Sequence, residues 1–169
     1  MKNFTLLFIL LPLFSFSQNK EKTKISFDIT TGGYSNFKKW KENGLTGGYE
    51  FSLNRKSIVY SANFIVGFGI SKNINNKNGY FQAFLESDVL VGKQFNLNRS
   101  IMVQPQVGIG YLHYTNHFQG DKENLIGVPV QFKLIFFNYN DISFGLIPRV
   151  NFNTVQNNYS LLFTLNFKG

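Results

Sequence analysis

The stretch "NNYSLLFTLNFKG", residues 157–169, alternates between apolar and polar side chains with a period of two. Its apolar members share one side: Tyr159, Leu161, Phe163, Leu165 and Phe167. The positions between them are polar except for Leu162. Successive side chains of a strand point to opposite faces, so this segment is predicted to be a two-faced β-strand. The apolar face points inward in a soluble barrel and outward in a membrane barrel, so the function depends on which face meets solvent.

Seven more segments show the same alternation, and none shows a helical period. The eight predicted strands are residues 24–35, 44–54, 57–71, 79–93, 99–115, 124–137, 141–153 and 157–167. Longer polar loops such as "NFKKWKEN" alternate along the chain with tight turns such as "NRKS" and "NYND". Asn and Asp are common in such turns because they tolerate turn conformations. This alternation is typical of an up-and-down meander with a short-turn end and a long-loop end.

The sizes of the side chains on the two faces decide which face is outside. The lumen of an eight-stranded barrel is just wide enough for side chains to fill it. The apolar face carries bulky residues on nearly every strand, whereas the polar face is small and holds most strand glycines, such as Gly32 and Gly108. We therefore predict that the polar face lines the lumen and that the apolar face meets lipid. The predicted fold is all-β, an eight-stranded antiparallel up-and-down transmembrane β-barrel.

Two further features bear on this prediction. Aromatic residues near both strand ends predict girdles at the two membrane interfaces. They are Tyr34, Trp40, Tyr80, Tyr111, Tyr114, Phe152 and Tyr159 toward the long loops, and Phe51, Tyr60, Phe95, Phe136 and Phe167 toward the turns. Proline removes a ladder donor, which counts against regular pairing and predicts bulges. The prolines inside strands are Pro105, Pro129 and Pro148.

The first 17 residues are predicted to be a secretory signal peptide. Lys2 supplies the positive charge, residues 4–14 the apolar core, and Ser15 and Ser17 the small residues before a cut ahead of Gln18. A membrane anchor is the alternative, but the apolar run is shorter than the roughly 20 residues of a spanning helix. Residues 18–169 are then expected to form one exported barrel domain. The sequence has no cysteine, so neither disulfides nor a lipid-modified cysteine are expected.

The predicted lumen face carries six charged residues: Asp28, Glu50, Glu86, Asp88, Lys133 and Arg149. Desolvating a lone ion costs several kcal/mol, so these charges must be paired or hydrated. The favoured interpretation is a structural network with Gln82, Gln104, Gln106 and Gln131. The alternative is a selectivity ring in a small pore, which eight strands leave little room for.

The mature chain as a whole resembles the small outer-membrane β-barrels of Gram-negative bacteria, in the eight-stranded OmpA/OmpX size class. The resemblance is architectural and includes the last strand, Tyr159 to Phe167. It implies an outer-membrane location, a monomer, and recognition of Phe167 by the barrel assembly machinery. Lys168 and Gly169 depart from the family pattern, in which the chain stops at the aromatic residue.

Within that resemblance, "YLHYTNHF" is similar to the His-x-Ser pattern of outer-membrane lipid A deacylases. The catalytic candidates would be His113 as base, Thr115 as nucleophile in place of serine, and Glu123 as orienting acid. The competing interpretation is a polar, aromatic interface rim. We expect no catalysis.

The net charge of +8 includes a basic patch in the long loops: Lys38, Lys39, Lys41, Lys72 and Lys77. Such a patch would attract lipopolysaccharide phosphates, although ordinary solubilising charge explains it equally well. No nucleic-acid recognition module, metal-ligand spacing or cofactor motif is visible, so none of these partners is expected. A structural or surface-interaction role is the main hypothesis. The alternatives are a narrow pore, a lipid-modifying enzyme, and a soluble periplasmic carrier, which the volume argument disfavours.

Overall fold

The computed structural model describes residues 23–36, 41–72, 79–116, 122–138, 141–155 and 157–169. The signal peptide predicted at residues 1–17 lies outside these ranges. None of the described segments is a helix long and apolar enough to cross a bilayer. The strands are β1 Lys24–Asn36, β2 Lys41–Arg55, β3 Ile58–Lys72, β4 Gly79–Lys93, β5 Phe95–Asn96, β6 Ile101–Asn116, β7 Lys122–Phe136, β8 Ile142–Asn153 and β9 Asn158–Lys168.

Every strand pairs antiparallel with its neighbours, and the sheet closes on itself. β1 pairs with both β2 and β9, while the β4–β6 pairing completes the ring. β5 is a two-residue segment that extends the same ladder along β6. The described residues thus form an eight-stranded up-and-down barrel, which confirms the predicted fold. The largest error in a strand boundary is at the start of β2, predicted at residue 44 and found at Lys41.

The turn between β2 and β3 shows how the sequence directs this pairing. Lys56 and Ser57 both have positive φ, 51° and 69° respectively. Two successive residues with positive φ characterise the type I′ turn, whose twist matches that of the flanking strands. The "NRKS" segment therefore connects its two strands in the tightest way, as predicted.

The outer surface is apolar and the interior is polar, as the volume argument predicted. Phe163 is 62% exposed and Ile126 is 75% exposed, whereas Asp28 is completely buried. The alternation is clear along β8, where Ser143, Arg149 and Asn151 are buried between exposed apolar neighbours. An apolar outer band around a polar interior is the arrangement of a transmembrane barrel.

The prolines interrupt the ladders without shifting them. Pro129 and Gly108 lack ladder pairing between β7 and β6, and Pro148 and Phe132 lack it between β8 and β7. The register is the same on both sides of each gap, so no residue is inserted. Pro105 stays in register opposite Phe132. The expectation of bulges was therefore wrong. The missing proline N–H groups interrupt individual ladder bonds, but the two strands keep equal numbers of residues between their paired positions.

Two adjacent glycines on β1 should respond very differently to alanine. A Cβ on Gly32 would lie 2.0 Å from the Leu161 carbonyl oxygen, whereas a Cβ on Gly33 would lie 3.7 Å from its nearest neighbour, the Gly44 oxygen. We expect Gly32→Ala to destabilise the barrel by about 1–3 kcal/mol through overpacking against backbone. Gly33→Ala is the matched control and should change the free energy of unfolding much less. Urea unfolding in detergent, followed by tyrosine fluorescence, measures both; equal losses would contradict the prediction.

Candidate functional site: the filled lumen

The first of two ion clusters in the lumen centres on Lys133 of β7. Its Nζ donates to Asp28 Oδ2 at 2.9 Å and to Glu50 Oε1 at 2.6 Å. The other carboxylate oxygen of Asp28, Oδ1, accepts hydrogen bonds from Thr164 at 2.9 Å and from Asn166 at 3.1 Å. All three charged side chains are almost completely buried. The cluster joins β7 to strands on the far side of the barrel.

The second cluster centres on Arg149 of β8. Its Nη2 lies 2.7 Å from Glu86 Oε1 and 2.5 Å from Asp88 Oδ2, both on β4. Asn151 Nδ2 also donates to Glu86 Oε1. A buried carboxylate with a cation and a second donor is stabilised by charge-assisted hydrogen bonds. This cluster ties β8 to β4 across the lumen.

Gln131 connects the two clusters. Its Nε2 donates to Glu50 Oε2 at 2.9 Å and to Gln106 Oε1 at 2.5 Å, and its Oε1 accepts from Arg149 Nη1 at 2.8 Å. The structure thus brings all six predicted lumen charges into one network, which we call the lumen network. Of the four glutamines predicted to join it, Gln131 and Gln106 take part. Gln104 instead donates to Gln94 Oε1, and Gln82 Oε1 has no partner among the described residues.

A second layer, toward the long loops, was missed by sequence analysis. It is an apolar and aromatic cluster inside the lumen: Tyr34, Ile65, Phe84, Leu112, Tyr114 and Leu125. Its rings pack closely, with the Tyr34 and Phe84 centroids 4.9 Å apart in an edge-to-face arrangement. Tyr34 and Tyr114 had been assigned to the aromatic girdle, which was wrong because both point inward. The alternation of the strand could have predicted this, since Tyr34 is an even number of residues from the lumen-facing Asp28 and therefore shares its face.

These two layers fill the middle of the barrel. Between them, the cavity bordered by Thr30, Asn63 and Leu162 has a volume of about 10 Å³, room for about one water molecule. A larger cavity of about 150 Å³ lies at the short-turn end, between Asn54, Gln94 and Gln104. A solute that entered this cavity from the short-turn end would next meet the lumen network.

A filled lumen predicts no conductance. We expect the purified protein in planar bilayers to give no reproducible single-channel steps, because buried ion pairs and hydrogen-bonded tyrosines occupy the lumen. Lys133→Ala, which opens space beside Asp28 and Glu50, serves as a comparison. Regular conductance steps from the unaltered protein would overturn the filled-lumen interpretation and favour the narrow pore.

The candidates for catalysis are only partly brought together. Thr115 Oγ1 lies 3.4 Å from His113 Nε2, and His113 Nδ1 lies 2.6 Å from Asn124 Oδ1. Asn124, and not Glu123, contacts the imidazole of His113. In the β6–β7 ladder Asn124 lies opposite His113, whereas Glu123 lies opposite Tyr114. Tyr111 OH also donates to Asn124 Oδ1, at 2.8 Å. These contacts join β6 to β7 at the long-loop end and do not include the predicted acid.

The predicted basic patch is mostly outside the described part of the chain. Lys38, Lys39 and Lys77 fall in segments that the structure does not describe, as does Trp40. Lys41 begins β2 and Lys72 ends β3, where they pair with each other at the long-loop end. Among the described residues, no group of three or more His, Cys, Asp and Glu side chains is arranged to hold a metal ion.

Comparison with known proteins finds similar folds among solved structures only. No family model matches the chain, and no curated protein matches its sequence. The crystal structure of neisserial surface protein A is similar with a TM-score of 0.64 and 11% identity, covering 87% of this chain and 97% of that one. The Ail protein of Yersinia pestis, crystallised with the heparin analogue sucrose octasulfate, is similar with a TM-score of 0.64 and 10% identity. That match covers 88% of this chain and 99% of the Ail chain.

A third similar structure is the N-terminal β-barrel domain of Pseudomonas aeruginosa OprF. Its TM-score is 0.54 at 9% identity, and the match covers 88% of this chain and all of that one. At such identities the likeness establishes the fold only. The chain therefore shares the closed barrel of these outer-membrane proteins over nearly its whole described length.

Proposed function

We propose that this protein is a non-enzymatic outer-membrane barrel whose long-loop end binds anionic saccharides at the cell surface. The observation that carries the proposal is the pairing of an apolar outer band with a filled, ion-paired lumen. Large side chains such as Ile126, Phe163 and Leu45 are 62–75% exposed on the outside. A surface of that kind requires lipid, since soluble monomers rarely expose apolar patches of such extent.

The filled lumen leaves the loops as the interacting part. A rigid network inside and lipid outside make the barrel a platform on which loops are presented, and binding residues on many folds lie in such loops. The net charge of +8 favours anionic partners. The complex of Ail with a heparin analogue supports the choice of a polyanionic sugar, lipopolysaccharide or a sulfated glycan.

We also propose how the protein reaches the outer membrane and how it is oriented there. Residues 1–17 direct export, and residues 18–169 are the mature domain. The assembly machinery recognises β9 with Phe167, the barrel is a monomer, and its short turns and both termini face the periplasm. An even number of long strands supports placing both termini on one side.

Membrane fractionation and gel electrophoresis test the location. We expect the protein in the outer-membrane fraction, with an electrophoretic mobility that changes when the sample is boiled. Recovery in the soluble periplasmic fraction would overturn the proposal and indicate an apolar-ligand carrier.

Binding to sucrose octasulfate and to purified lipopolysaccharide tests the partner. We expect binding that weakens steeply with added salt and is lost when Lys38, Lys39, Lys41, Lys72 and Lys77 are changed to Gln together. The matched control changes five basic residues at the short-turn end to Gln: Lys24, Arg55, Lys56, Lys93 and Arg99. Equal binding by both variants would remove the basic patch from the proposal.

A further inference from the structure

One buried carboxylate at the long-loop end of the lumen has no cationic partner among the described residues. Glu42, near the start of β2, is completely buried. Tyr34 OH donates to its Oε1, and Tyr114 OH donates to its Oε2 at 3.0 Å. The other four buried carboxylates of the described residues each contact Lys133 or Arg149, but Glu42 contacts neither.

Amide oxygens without partners lie beside it. Asn36 is opposite Glu42 on β1 and opposite Asn158 on β9, so the three side chains are neighbours in one row of the lumen wall. All three are buried, and in the described residues neither Asn36 Oδ1 nor Asn158 Oδ1 has a hydrogen-bond partner. A buried oxygen left without a donor costs about 1–3 kcal/mol, so two in one row call for an explanation.

The hydrogen-bond directions fix which atom of Asn36 is free. Tyr114 uses its proton toward Glu42, so its oxygen must accept from Asn36, and the Asn36 Nδ2 is the donor at 3.3 Å. Exchanging the amide oxygen and nitrogen would set two acceptors against each other. Asn36 Oδ1 is therefore an acceptor that needs a donor or a cation.

The charge balance of the lumen also favours a cation. Seven charged side chains are buried in the described part of the chain, five acidic and two basic. The acidic ones are Asp28, Glu42, Glu50, Glu86 and Asp88, and the basic ones are Lys133 and Arg149. Five carboxylates against two cations leave an excess of three negative charges if all are ionised, and buried charge without compensation is strongly unfavourable.

We propose that Glu42, Asn36 and Asn158 form a binding site for a hard divalent cation of the Ca²⁺ type, beneath the long loops. Carboxylate and amide oxygens are the ligands such cations take. The carboxylate of Glu42 and the two amide oxygens would supply the protein ligands, and water would complete the coordination shell. A site with one carboxylate binds weakly, with a dissociation constant of about 10⁻⁴–10⁻³ M, the range of extracellular calcium modules.

Terbium luminescence tests this site with its own reporters. Tb³⁺ is a hard cation like Ca²⁺, and Tyr34 and Tyr114, which contact Glu42, would transfer excitation energy to an ion bound there. The protein, purified in detergent and treated with a chelator, is titrated with Tb³⁺ under tyrosine excitation. We expect sensitised emission that saturates and that millimolar Ca²⁺ displaces.

Matched variants separate this site from others. Glu42→Gln keeps the side chain's size and removes its charge, so it should fold and lose most of the sensitised emission. Asp141→Asn changes an exposed acid at the opposite end of the barrel and should leave the emission unchanged. Ca²⁺ should also raise the unfolding temperature of the unaltered protein but not that of Glu42→Gln.

Two results would overturn the proposal. Absence of saturable emission would mean that water or a proton satisfies these oxygens. Emission of equal strength in Glu42→Gln would place the ion elsewhere, for example on co-purified lipid phosphates.

Discussion

Replacing Lys133 by methionine should destabilise the folded barrel by about 3–5 kcal/mol, because it leaves buried carboxylates without their cation. Lys133 is 1% exposed and is the only cation that Asp28 and Glu50 contact among the described residues. Methionine fills much of the same volume, so the loss reflects charge rather than a cavity. Urea unfolding of the protein in detergent micelles measures the change.

Two controls isolate the buried pairing. Lys24→Met removes an exposed lysine at the start of β1 and should change the free energy of unfolding by less than about 1 kcal/mol. Adding Asp28→Asn and Glu50→Gln to Lys133→Met should restore much of the lost stability, because neutral side chains no longer need the cation. A Lys133→Met protein as stable as the unaltered one would show that the carboxylates are hydrated or protonated.

The period-two pattern predicted most of this barrel because burial in a strand depends on parity alone. Along β8, alternation alone places Phe144 on the exposed outer face and Arg149 on the buried inner face. The lumen charges were found in the same way, since Asp28, Lys133 and Arg149 lie on otherwise small, polar faces. Their pairing was not predictable, because contacts such as Lys133 with Asp28 join residues 105 positions apart.

The errors arose where side-chain type was given more weight than parity. Tyr34 and Tyr114 are aromatic and near strand ends, so composition suggested the interface, yet their parity places them inside. Glu42 was missed because β2 was started at residue 44, two positions too late to include it. Asn124 was overlooked beside His113 because only an acid was sought, and the β6–β7 register that pairs them is a property of the folded sheet.

Replacing Phe163 by arginine tests the outward face directly. Phe163 is the central residue of β9, with Thr31 and Leu146 as its ladder partners, and it is 62% exposed on the apolar outside. At the middle of a bilayer an arginine on the lipid face of a barrel costs about 2–4 kcal/mol, falling to about 0–1 near the interfaces. We therefore expect Phe163→Arg to destabilise the barrel by the larger amount when unfolding is measured in lipid vesicles.

Position along the strand distinguishes lipid contact from a general loss of packing. Leu97 is 67% exposed but lies in a turn, outside the strands, so Leu97→Arg should be nearly neutral in the same vesicles. Phe163→Ala removes the ring without adding charge and measures the packing part of the effect. If Phe163→Arg costs no more than Phe163→Ala, the apolar face does not meet lipid. The aromatic side of the C-terminal strand would then cover some other apolar partner, and the membrane location would fall with it.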